Sequence, residues 1–206
     1  MFPVYTWNLA YAHLGKSSNI ADPDEISAEA NAARAFYPHE REKMLARHDW
    51  GFASVVVALA EVIIVDPPPA PFLDAVRYGT PSDCVRATSV DSNSYAGMLS
   101  THFIRQMVGN VDVIYSTIPD VRLTYVSRSI QDTFFPSGVS EALALSLASK
   151  LAGAIIKNTK TAAYLAKEAE IALRRAMAVD ANQTGSRFYA NHVAPWLSGA
   201  PRENAR

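Results

Sequence analysis

Apolar positions recur along the chain first at helical intervals, then at strand intervals, and finally at helical intervals again. Residues 6–14 predict a short helix, which Gly15 is placed to end. Asp22-Pro23-Asp24-Glu25 predicts a capping-box start to a second helix, with Pro23 at its first helical position. Ile26, Ala30, Ala33 and Tyr37 then fall on one face of that helix. Pro38 interrupts the pattern, because it lacks the backbone donor that a continuing helix uses. Either the helix kinks there or Pro38 begins another. Acidic Glu40 and Glu42 in the next turn, with Arg47 and His48 further on, suit a fresh start.

From Trp50 to about Arg128 the texture changes. Val55-Val56-Val57 and Val62-Ile63-Ile64-Val65 are β-branched runs that favour strands. The link Ala58-Leu59-Ala60-Glu61 is compatible with either helix or strand. Pro67, Pro68, Pro69 and Pro71 end this stretch. Further strands are predicted over residues 84–90, 111–116 and 121–126. Val111, Val113 and Tyr115 share one strand face, and Leu123 and Tyr125 share another. Gly109-Asn110 and Pro119-Asp120 mark turns.

Ser137 is placed to cap a helix running to about Asn158, with Val139, Leu143, Leu147, Leu151 and Ile155 spaced by four. Thr159 is placed to cap a second long helix. Its Ala162, Ala166, Ala169, Leu173 and Ala176 form a narrow seam of mostly small residues, of the kind that lets helices approach closely. The short link between the two predicts antiparallel neighbours. After Asp180 the chain turns polar. These elements predict an α+β fold. Residues 1–49 and 129–184 would form a helical bundle, residues 50–128 an inserted β-rich domain, and residues 185–206 an extended C-terminal tail.

Composition narrows the function. The chain has 206 residues, of which 49% are hydrophobic and 19% charged, so it can bury a sizeable core without staples. A formal net charge of -1 supplies no global field for nucleic acid or membranes. DNA binding driven by phosphate neutralisation is therefore disfavoured, which still leaves room for a protein that DNA merely passes. With Cys84 as the single cysteine, an internal disulfide and multi-cysteine zinc sites are excluded. The apolar run 53–65 contains Ser54 and Glu61 and is too short to span a bilayer. The first residues lack the pattern of a signal peptide, so the expectation is synthesis in the cytoplasm and no membrane partner.

Little catalytic chemistry is spaced to work. His13, His39, His48, His102 and His192 include no i, i+4 pair and no His-Glu-x-x-His motif. No nucleophile elbow, phosphate-cradling glycine loop or dinucleotide fingerprint occurs, and no metal or cofactor is expected. Cys84 reads as a small buried hydrophobe more readily than as a nucleophile. Glu25, Glu29, Glu40 and Glu42 read as a solvated helix face, the later ones interleaved with Arg41, Lys43 and Arg47. Arg122, Arg128, Lys150, Lys157 and Lys160 make no dense basic run. Trp50 and Phe52 straddle Gly51 at a helix-to-strand junction and read first as packing between helices and β block. They are also candidates for partner contact, together with Phe188, Tyr189 and Trp196 of the tail.

Several of these segments, taken in order, resemble the tail tubular protein A family, the head-tail adaptors of short-tailed phages. Phe36-Tyr37, Arg41, Leu45, Arg47-His48 and Trp50-Gly51-Phe52-Ala53 resemble the end of that family's early helix. Pro81-Ser82-Asp83-Cys84-Val85-Arg86 is similar to its Pro-x-Asp-Cys-hydrophobic-Arg segment at the start of a strand. Residues 135–152, with Glu141-Ala142-Leu143 inside them, resemble the first of its two closing helices, and the segment reaching Ala176 and Asp180-Ala181 resembles the second. Asn8-Leu9-Ala10 to Leu14-Gly15 resembles its opening helix more loosely. The likeness spans residues 8–181. Gly51 stands where Asn is common, and the 67–71 proline cluster has no counterpart.

The resemblance implies a structural, non-enzymatic virion protein of the tail connector, assembled with itself into a twelvefold ring. Its partners would be the portal protein above and a tail nozzle protein of the tail tubular protein B type below, with DNA passing through the lumen without sequence recognition. It implies no catalytic residues. The competing expectations are a small cytoplasmic enzyme using Cys84 or a histidine, and an adaptor of a related long-tailed or gene-transfer particle.

Overall fold

The structure is a computed structural model that describes residues 3–17, 20–63, 75–92, 99–100 and 103–190. It is an α+β fold of four helices and two small antiparallel sheets. Helix α1 (Val4–His13) ends as expected at Gly15, whose φ of +68° is a left-handed conformation that glycine adopts without strain. Helix α2 (Ala28–Leu45) starts later than the sequence suggests. Asp22 accepts from the Asp24 N–H at 2.8 Å in a side-chain turn, while Ser27 caps the helix by accepting from the Ala30 N–H at 3.1 Å. Ile26 consequently lies before the helix and is 95% exposed, whereas Ala30, Ala33 and Tyr37 are buried as expected.

Pro38 does not begin a new helix: α2 runs through it. An internal proline costs roughly 3 kcal/mol. Anchors on either side of it, Tyr37 and Arg41, both bind Asp132 and oppose that cost.

Strand β1 (Ser54–Ala58) pairs with β7 (Val121–Ser127), which pairs with β3 (Cys84–Ser92), and β3 pairs with the short β4 (Leu99–Ser100). The second sheet has the order β2 (Val76–Gly79), β6 (Val111–Ser116), β5 (Ile104–Val108). The chain leaving β1 is extended rather than helical and crosses between the sheets. Leu59 N–H donates to Val121 O at 2.8 Å, and Val62 N–H donates to Arg77 O at 2.8 Å. Val62 and Ile63 therefore do not form the expected strand; Ile64, Val65 and the proline cluster lie outside the described residues. Tyr78, Cys84, Val90, Ile114, Val121, Leu123 and Tyr125 make the β core. The expected turns are present, with φ of +60° at Gly109 and +53° at Asp120. In β6 both faces are largely buried: Val113 and Tyr115 on one, Ile114 and Ser116 on the other, while Val111 stays 43% exposed.

Helix α3 (Ser137–Leu151) is the central helix, packed by α1, α2 and α4 (Thr159–Ala190). Ser137 is its first residue and not its cap, which is Pro136. Beyond Leu151 the backbone widens into a π-helical turn, Ala152–Ile156, ended by Lys157 at φ +54°. Asn158, not Thr159, caps α4, its side chain accepting from the Thr161 N–H at 3.1 Å. The buried stripe of α4 is Leu165, Ala169, Leu173, Ala176 and Asp180; Ala166 is exposed. The helix also continues to Ala190, into the segment expected to be extended from Gly185. Ser137–Ile156, unlike the run 53–65, is long and apolar enough to cross a membrane. In this fold half of that stretch is buried among the other helices.

Candidate functional site

Residues 47–53, Arg86 and Asp180 lie far apart in the chain and meet at one junction. Trp50 is fully buried where α2 hands over to β1, and its indole N–H donates to Met44 O at 3.0 Å, satisfying a carbonyl at the end of α2. His48 meets its ring edge-on at 4.8 Å, Phe52 lies 5.5 Å away, and Phe135 sits 5.3 Å beyond Phe52. The guanidinium of Arg41 covers the Phe135 ring at 5.3 Å.

Asp180 brings α4 into this cluster. One of its oxygens lies 3.1 Å from His48 Nε2, and the Gly51 N–H points between both oxygens at 3.2 Å. Ten residues earlier, Glu170 accepts from Arg47 at 2.5 Å. The β block joins from the other side: Arg86 donates to Asp49 at 2.8 Å and Thr88 to the same oxygen at 3.0 Å. Arg47 to Ala53, Arg86 and Asp180 thus form one contact region.

Two further carboxylates fasten the same junction. Asp83, just before β3, accepts from Tyr125 at 3.0 Å and Ser127 at 2.5 Å. Burial pushes the Asp83 carboxyl up, but the hydrogen bonds from Ser127, Tyr125, the backbone and Ser129 outweigh it and hold the group below its ordinary value. Tyr125 is pushed up to about 12, by burial first and then by its bond to Asp83. Asp132 accepts from Tyr37 at 2.5 Å and Arg41 Nε at 2.8 Å, and Arg41 also donates to the carbonyls of Arg128 and Ile130. Burial, then the bond to Asp132, raises the Tyr37 hydroxyl well above the usual range.

Between α2, α3 and α4 sits a buried glutamate, Glu40, 2% exposed. Ser146 donates to it at 2.6 Å, and the ammonium groups of Lys43 and Lys150 lie 3.6 and 3.7 Å away. A solvated helix face is the expectation for Glu40; packing of α2 against α3 places it inside instead. Such a carboxylate needs its hydrogen bond and cations to offset lost hydration.

Trp50 and Phe52 were candidates for partner contact. The fold spends Trp50 wholly on packing and leaves Phe52 half-buried against the same core. Phe188 and Tyr189 lie on α4, with side chains outside the described residues; Trp196 lies outside them altogether. Cys84 is 2% exposed and burial raises its thiol, which disfavours the reactive thiolate. Among the described residues no group of three or more His, Cys, Asp or Glu is placed to hold a metal ion. Asp83 and Asp180 stand in segments the sequence reading singled out and Asp132 does not, but the binding role of all three was missed, since their partners lie 42 to 132 residues away.

Neither protein-family models nor curated proteins yield a match to the chain.

Proposed function

We propose that this protein is a structural head-to-tail adaptor of a short-tailed phage, a ring between portal and tail nozzle through which DNA passes. The observation that carries the reading is the convergence of its family-like segments. Residues 47–53, Arg86 and Asp180, ordered along the sequence as in the tail tubular protein A family, meet in space through the His48–Asp180 and Asp49–Arg86 contacts.

On this reading the N- and C-terminal helices form a bundle that packs side by side in a twelvefold ring, and residues 50–128 form an inserted unit offering axial contacts. The junction would hold the two at a set angle, as a ring of repeated subunits requires. The resemblance transfers no catalytic role, and the protein would act by geometry within the virion.

Negative-stain imaging of the purified protein mixed with portal tests this directly. Rings stacked coaxially on portals are expected, with nozzle protein adding below them. Particles that ignore the portal at every ratio would remove the adaptor reading.

A further inference from the structure

Helix α4 carries a second stripe opposite its buried one. Lys160, Tyr164, Lys167, Ile171, Arg174 and Ala178 follow at intervals of four, three, four, three and four, so they share one side of the helix. All are exposed except the half-buried Ile171, and Tyr164 is 62% exposed. Basic and apolar residues alternate along this stripe over about 21 Å from Lys160 to Arg174, at 1.5 Å per residue. The surrounding sequence accentuates the charge: residues 142–167 contain four lysines and no acidic residue. Of the nearby carboxylates, Glu168 is half-buried, and Glu170 is held by Arg47 and Arg174.

The complement lies on the same chain. Ile26 projects 95% exposed from the loop before α2, an unusual position for a large β-branched side chain. Exposed Asp22 and Asp24 precede it, with Glu25 next to it and Glu29 in the first turn of α2, so four carboxylates outnumber the one cation in reach, Arg34. This loop is held in shape. Asp22 closes a turn onto the Asp24 N–H, Asn8 bonds both the N–H and the carbonyl of Ile20, and Arg34 donates into the carbonyls of Pro23 and Glu25. An apolar knob inside an acidic rim therefore matches a stripe of apolar residues inside a basic rim.

We infer that the Ile26 loop of one copy docks on the outer Lys160–Arg174 stripe of a second copy, and that this contact is the side-to-side joint of the ring. The inference rests on the adaptor reading for its ring, but on these two patches alone for the joint. Two different patches of one chain make a heterologous contact, which leaves each copy with a free loop and a free stripe and so propagates around a closed ring. The apolar residues supply the desolvated centre, while the charges orient the encounter and set the register.

Sedimentation velocity of the full chain at low and high salt tests the joint. The unaltered protein is expected to associate, less so as salt rises. Ile26→Asp, the pair Asp22→Lys with Asp24→Lys, and the pair Lys160→Glu with Lys167→Glu should each weaken association roughly tenfold or more. The five substituted positions bear on the joint only if the variants fold, which circular dichroism checks; mixing the two charge-reversed variants should then restore association. A monomeric unaltered protein at low salt, variants that associate normally, or a mixture that stays apart would each overturn the inference. So would loss of duplex DNA binding in the Lys160/Lys167 variant with unchanged self-association, because the stripe would then serve nucleic acid. Variants that still form rings stacked on portals would remove this joint and leave the adaptor reading intact. Rings that form but never meet the portal would do the reverse.

Discussion

Replacing Asp180 by alanine should loosen the attachment of α4 to the helix–strand junction more than any other single polar change. The carboxylate is 7% exposed as a residue, accepts from the Gly51 N–H at 3.2 Å and lies 3.1 Å from His48 Nε2. A hydrogen bond to a charged group contributes about 1.5–3 kcal/mol, and an abandoned buried donor costs about 1–3 kcal/mol. Since the neighbouring backbone can relax or admit water, a loss of about 3 kcal/mol is expected from the two contacts together. For a chain of this size that corresponds to a fall in Tm of roughly 6–12 °C. Urea unfolding followed by far-UV circular dichroism reads the loss directly. Asp180→Asn keeps an oxygen for Gly51 and should cost about half as much, by retaining one of the two bonds. A double-mutant cycle with His48→Ala should show coupling of about 1 kcal/mol, as residues in one network do. Loss below about 0.5 kcal/mol for Asp180→Ala, the range of an ordinary surface change, would refute the junction argument.

Further outcomes follow from the same contacts. Trp50→Ala should cost about 3–5 kcal/mol in urea unfolding, because it empties a fully buried site and removes one of the two N–H donors, beside that of Arg47, on the Met44 carbonyl. The Asp83 carboxyl has a folded pKa below its ordinary 3.8, so its contribution is present above that value and is lost as pH falls through the lower folded one. Asp83→Asn should accordingly flatten the acid limb of the stability profile. Tyr125, raised from 10.0 to about 12, contributes stability below pH 10 that is lost as pH rises towards 12; Tyr125→Phe should flatten that alkaline limb in stopped-flow denaturation. The Cys84 thiol should react with iodoacetamide only on unfolding, and labelling of the native protein at the rate of a free thiol would contradict its burial.

What the amino-acid sequence determined by itself is the local part of the fold. Gly15, Gly109-Asn110 and Pro119-Asp120 stop or turn the chain where expected, because turn geometry is decided by the residues that make it. Four helices and the strands β1, β3, β6 and β7 announce themselves through periodicity, and with them the α+β class. The packing role of Trp50 at a helix-to-strand junction was legible too.

Tertiary structure decided the rest, because burial is not a local property. Asp22 and Ser27 both offer a cap; packing of Ala30 and Tyr37 selected Ser27 and left Ile26 in solvent. Pro38 continues α2 because Tyr37 and Arg41 are tied to Asp132, more than ninety residues on. In α4, Leu165 and Ala166 each fit a seam, and the position of α3 chose Leu165. Glu40 is placed inside by the packing of α2 against α3, although its sequence neighbours suggest a solvated face. The junction itself joins Asp49 to Arg86 and His48 to Asp180 across 37 and 132 residues. Such contacts exist only once the chain has closed those loops, so periodicity can name the elements but not the residues that bind them together.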